Sequence, residues 1–165
     1  MCQLLGMNCN VPTDICFSFT GFQKRGGETD VHADGWGIAF FEGKGVRLFL
    51  DPQPSAQSPI AELVRNYPIR SLNVIAHIRK ATQGIVSLEN THPFMRELWG
   101  RYWVFAHNGA LYNHKEVAAA LGPRRARLKT DSDSEVYFQQ FLKFRAEGAE
   151  PSVAFEACIL ENWRL

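Results

Sequence analysis

At 165 residues the chain has room for one real hydrophobic core and is short for two. Its 45% hydrophobic and 21% charged content is average for a soluble globular protein, and a formal net charge of +1 gives no electrostatic pull toward nucleic acid or an acidic membrane. No stretch reaches the ~20 apolar residues of a membrane span, and Asn8, Asn10 and Asp14 interrupt any signal-peptide core, so a cytoplasmic protein with reduced thiols is expected.

In chain order, Cys2 to Met7 reads as a short apolar strand followed by a turn at Asn10 to Asp14. Asp14 is placed to cap a helix over Ile15 to Phe22, ending at Gly26-Gly27. Trp36 to Phe41 and Val46 to Leu50 are strands joined by the hairpin signal Glu42-Gly43-Lys44-Gly45. Ser58-Pro59 opens a helix with apolar positions at Ile60, Leu63 and Val64. Leu72 to Ile78 and Tyr102 to Ala106 follow as buried strands. Lys115 to Leu121 is helical and stops at Gly122-Pro123. Pro123 to Lys129 is a basic solvated loop. Val136 to Leu142 lies in a helix started by Ser132 or Ser134, and Pro151 begins a last helix. Strands first and helices last predict an α+β domain with a mainly antiparallel sheet.

Unusual polar residues fall at strand ends, where a rigid scaffold presents side chains to ligand. They are His32-Ala33-Asp34-Gly35, His77-Ile78-Arg79-Lys80-Ala81-Thr82 and His107-Asn108-Gly109. Taken alone, Asn108-Gly109 is a hairpin turn signal and Arg79 a surface cation. His77, His92 and His107 lack the i, i+4 spacing of a ligand pair, and the four cysteines form no C-x-x-C, so no metal site and no cofactor is expected. Cys9, Cys16 and Cys158 read as small buried hydrophobes. Cys2 differs by position. A small second residue is of the kind that lets the initiator Met1 be removed, leaving a free α-amine on the residue that carries the thiol. That amine (unperturbed pKa ~7.7–8.0) can take the proton of a thiol at ~8.5 without a histidine.

Six segments occur together in order: Met1-Cys2-Gln3-Leu4-Leu5-Gly6-Met7, His32 to Gly37, His77 to Thr82, Asn90-Thr91-His92-Pro93-Phe94, Phe105 to Gly109, and Ser132-Asp133-Ser134-Glu135. In this the chain resembles the class-II glutamine amidotransferases of the N-terminal-nucleophile hydrolases, and more narrowly their stand-alone bacterial branch. The resemblance implies antiparallel sheets sandwiched between helical layers in a single domain over 1–165. It implies that Cys2 attacks the glutamine side-chain amide, giving a glutamyl thioester and ammonia, while its α-amine shuttles the proton. Asn108 and the backbone N–H of Gly109 would form the oxyanion hole. Arg79 would clamp the α-carboxylate of glutamine, Asp133 the α-ammonium in preference to Asp131, and Thr82 would add a polar contact.

Two departures stand out. Lys80 occupies a position that is aromatic in the synthase members of the family. The chain is also short for a family domain: about five strands make one sheet and part of another, as in a fragment or a domain with a replaced C-terminal part. A sheet face left uncovered needs a partner. The expected partner molecules are glutamine or a γ-glutamyl compound, with a separate synthase as ammonia acceptor, since no acceptor-site motif is visible. Two other readings stay open: hydrolysis of a γ-glutamyl amide in a small peptide or thiol metabolite, and a non-catalytic glutamine-sensing module.

Overall fold

The computed structural model describes residues 2–82 and 84–164. Met1, whose removal is the expectation for Cys2 as nucleophile, lies outside the described residues. Contacts group the chain into two compact units, Met1–Gly109 and Ala110–Leu165.

The first unit is built on a four-stranded antiparallel sheet in the order β1 (Gln3–Thr13), β4 (Ser71–Ile78), β2 (Trp36–Glu42), β3 (Gly45–Asp51). A second hairpin joins β5 (Phe94–Leu98) to β6 (Arg101–Phe105). Register explains which side chains form the core. Leu5, Ala76 and Ile38 lie in one row across three strands, Met7, Val74 and Phe40 in the next, and Trp36 faces Ile78. Side chains on a strand alternate between faces, so these rows share one side of the sheet. Helices α1 (Cys16–Lys24) and α2 (Pro59–Asn66) cover that side, packing Ile15, Phe19, Phe22, Ala61 and Val64 against it. Leu4, His77 and Gly37 form a row on the other side. There Gly37 comes so close to the His92 carbonyl that a Cβ would sit 2.4 Å from its oxygen. β2 is therefore buried on both faces, which accounts for its nearly continuous apolar run.

The second unit is helical among its described residues: α3 (His114–Ala120), a 3-10 turn over Gly122–Arg127, α4 (Asp133–Ala146) and α5 (Pro151–Arg164). Val117, Leu121 and Val136 make its apolar cluster. Ser132 is the N-cap of α4, its hydroxyl accepting from the Ser134 N–H at 3.2 Å.

Several expectations change: the basic segment read as a loop forms the 3-10 turn over Gly122–Arg127, and β6, read as buried, is exposed to half-buried. β1 runs on to Thr13 instead of turning at Asn10, with its pairing to β4 shifted between Asn8 and Thr13. β5 has no counterpart in the sequence reading, because Met95, Arg96 and Glu97 in its middle hide its apolar ends. In α2 the core face is Ala61 and Val64, while Leu63 is 55% exposed. Cys9 and Cys16 are half-buried, and only Cys158 among the three is buried, with its thiol pushed up to about 12 by desolvation.

Candidate active site

Antiparallel pairing of Gln3 with Ile78 places Cys2 beside the residues that follow β4. The Lys80 backbone N–H donates to Cys2 Sγ at 3.3 Å, and the thiol can donate to the Lys80 carbonyl at 3.5 Å. From the end of β6, the Asn108 side-chain Nδ2 donates to the Cys2 carbonyl at 3.0 Å. Two strand ends that are distant in sequence thus converge on one half-buried cysteine.

Arg79 is buried, at 3% exposure. Its backbone is fixed by the segment entering β2: the Arg79 N–H donates to Gly35 O at 2.8 Å, and the Asp34 N–H to Arg79 O at 3.2 Å. The Asp34 carboxylate accepts from the Ala81 N–H at 2.8 Å, holding the chain as it leaves Lys80. The Arg79 guanidinium organises the loop beyond, donating to Ile85 O at 3.0 Å and Gly84 O at 3.3 Å. Asn90 Nδ2 reaches the same Ile85 carbonyl at 3.1 Å. Thr82 lies in this loop and is exposed.

His77, paired with Leu4 across β1 and β4, heads a run of stacked rings. His77 Nε2 is 3.1 Å from the His107 carbonyl, a contact that requires the ring to carry its proton on Nε2. The His77 ring stacks on His92, and His92 on Phe94, each at 4.4 Å between centroids. Burial pushes the His77 imidazole down to about 4, and burial followed by the neighbouring His77 and Arg79 pushes His92 well below its ordinary value. The pair is neutral at physiological pH. Among the described residues no group of three or more His, Cys, Asp or Glu side chains is placed to hold a metal ion. Asn108-Gly109 does not close a hairpin, since β6 is followed by helix. A Cβ on Gly109 would sit 2.6 Å from His107 Nε2, so the glycine keeps the turn clear of that ring.

In the second unit Asp133 is buried at the first turn of α4, and its carboxylate accepts from the Leu111 N–H at 2.7 Å. Buried Glu135 accepts from the N–H groups of Lys129 and Thr130, both at 2.8 Å. Asp131 is exposed.

The structure therefore brings Cys2, the Arg79-Lys80 backbone and Asn108 together. Sequence reasoning missed Asp34, the Lys80 backbone and His77 as the groups that hold them. The signal for Asp34 and His77 was present, because both sit in the polar strand-end segments. The Lys80 contact is made by main chain and leaves no mark on side-chain identity.

Residues 1–164 match the family profile "Glutamine amidotransferases class-II". The Haemophilus influenzae protein named "Putative glutamine amidotransferase" is 58% identical over 161 residues, covering 95% of this chain and 53% of that protein. The chain spans about half the length of the curated relatives it matches. The crystal structure described as a "predicted glutamine amidotransferase" from Pseudomonas aeruginosa PA01 is 39% identical with a TM-score of 0.56, over 97% of this chain and 62% of that one. The structure described as "the allosteric regulatory enzyme of purine biosynthesis" aligns with a TM-score of 0.74 at 19% identity, over 96% of this chain and 32% of that one, which shows the shared fold. The fold is that of the N-terminal-nucleophile hydrolases, mixing antiparallel sheets with helices.

Proposed function

Because this chain belongs to the class-II glutamine amidotransferases, we propose that it releases ammonia from the side-chain amide of glutamine, with Cys2 as nucleophile. The observation that carries the reading is the convergence on Cys2, whose sulfur meets the Lys80 N–H and whose carbonyl meets Asn108.

The chemistry follows from these positions. With Met1 removed, the α-amine of Cys2 takes the thiol proton as Sγ attacks the amide carbon. The oxygen of the tetrahedral intermediate is stabilised by the Asn108 amide and the Gly109 N–H. An amide nitrogen has two N–H groups, so one can remain on the Cys2 carbonyl while the other faces the oxyanion. The amine passes its proton to the leaving nitrogen, ammonia departs, and a glutamyl thioester remains. Water, deprotonated by the same amine, then attacks the thioester and frees glutamate. Arg79 recognises the α-carboxylate and Asp133 the α-ammonium, with Thr82 as a further polar contact. Support for Arg79 is its rigid mounting one residue before the Lys80 contact; Asp133 and Thr82 rest on the resemblance. The ammonia acceptor belongs to a separate synthase.

Intact mass, ammonia release and labelling by a glutamine-mimicking electrophile test the reading together. Loss of Met1, glutamine turnover and a single adduct absent from Cys2→Ala are expected. Retained Met1, or an adduct that persists in Cys2→Ala, would remove Cys2 from the mechanism. Turnover of γ-glutamyl dipeptides with inert glutamine would move the substrate to that class.

A further inference from the structure

A cavity lies at the hairpin tips of the first unit. The tips of the two hairpins, Glu42 to Gly45 and Leu98 to Arg101, frame a space of about 560 Å³. Its walls include Phe41, Lys44, Trp99, Arg101 and Tyr102. The strands run away from Cys2: Trp36 pairs with Ile78 beside the active-site loop, whereas Glu42 is six residues further, about 20 Å at strand rise.

Three features mark this cavity as built for a ligand. First, Trp99 has φ 57° and is the one non-glycine residue with positive φ among the described residues. Gly100 follows at φ 72°, giving the two-residue turn that Asn-Gly or Gly-Gly would satisfy without strain. An aromatic ring held in this conformation and left 62% exposed gains little from packing. Strain retained without a packing return is a feature of ligand clamps. Second, the cavity lining holds two cations, Lys44 and Arg101, and no carboxylate, with Glu42 and Glu97 at the strand ends outside it. Glu42 is committed to Arg47 through bonds of 2.7 and 3.1 Å, and the Glu97 carboxylate accepts from the Gly100 N–H. Among the described residues neither Lys44 nor Arg101 has a carboxylate partner. Third, the space is of small-molecule size, and its lining includes the exposed aromatic side chains of Trp99 and Tyr102 as well as the cations.

We propose that this cavity binds a nucleoside phosphate: the base stacks on Trp99, and the phosphate is held by Lys44 and Arg101. Cationic side chains next to aromatic faces suit a ligand that is planar at one end and anionic at the other. Its distance from Cys2 means that the nucleotide and glutamine do not compete.

The purified full chain is titrated by calorimetry with the four common nucleoside 5′-monophosphates, with adenosine and with inorganic phosphate. At least one nucleotide should bind saturably, and adenosine and phosphate should each bind about tenfold more weakly or worse. Trp99→Gly relieves the backbone strain, so its melting temperature should equal or exceed the parent's while nucleotide affinity falls about tenfold. Lys44→Ala and Arg101→Ala should weaken the nucleotide to a similar degree while adenosine affinity stays unchanged. No saturable binding at millimolar nucleotide, undiminished affinity in Trp99→Gly, or phosphate binding as tightly as the nucleotide would each overturn the proposal.

Discussion

Cys2 is held at two points, by the Lys80 backbone on its sulfur and the Asn108 amide on its carbonyl. Replacing Asn108 with Ala removes the proposed oxyanion donor and this tether, so kcat should fall by ~10²–10³, read from steady-state ammonia release. Arg79→Lys keeps the charge but loses the planar fork and two loop contacts. It should raise KM for glutamine at least about tenfold and weaken kcat less, a split that separates binding from chemistry. His77 predicts a pH effect on stability. Burial holds its imidazole at about 4, against 6.5 for an ordinary histidine. Above pH 6.5 folded and unfolded chains are both neutral at this site. As the pH falls toward 4 the unfolded chain gains a proton that the folded one refuses, so stability drops by about 3 kcal/mol across that window. His92, shifted the same way, adds to the loss. Urea midpoints at pH 7 and pH 5 should show the decline, and His77→Gln should flatten it while lowering stability at pH 7.

At the scale of elements, close approach matters as much as hydrophobicity. Gly37 in β2 lies under the His92 carbonyl, and a Cβ would also sit 2.9 Å from the Phe49 carbonyl. Main-chain oxygens on two sides cannot rotate away, so Gly37→Ala should cost about 1–3 kcal/mol by denaturant unfolding. Helix capping is milder. Ser132→Ala removes the acceptor for the Ser134 N–H and should cost about 1 kcal/mol. These elements also show what a linear pattern conveys. The hairpin at Glu42–Gly45 and the strand ending at Ile78 were legible because turn chemistry and apolar runs are local. β5 was not, since a strand paired on one side tolerates Met95, Arg96 and Glu97 in its middle. In α2 the buried face runs through Ala61 and Val64 at i, i+3 spacing, one residue out of phase with the larger Ile60 and Leu63.

Across the whole molecule, burial predicts an order of local stability. β2 and β4 are interior strands flanked by β1 and β3. By contrast α5 buries only Ala154 and Cys158, with Trp163 at 86% exposure. Native-state hydrogen exchange should find the slowest amides in β2 and β4 and faster opening in α5. No described helix is long and apolar enough to cross a membrane. The sequence by itself determined the family, the α+β class and the segments that carry the candidate site, because six short motifs in order are chemical statements that survive without coordinates. Only the tertiary structure decided what holds Cys2. Strand register between β1 and β4 brings the Lys80 main chain, and the chain leaving β6 brings the Asn108 amide, to a residue 78 and 106 positions away. A backbone N–H is the same group in every residue but proline, so no side-chain pattern reveals where it will point.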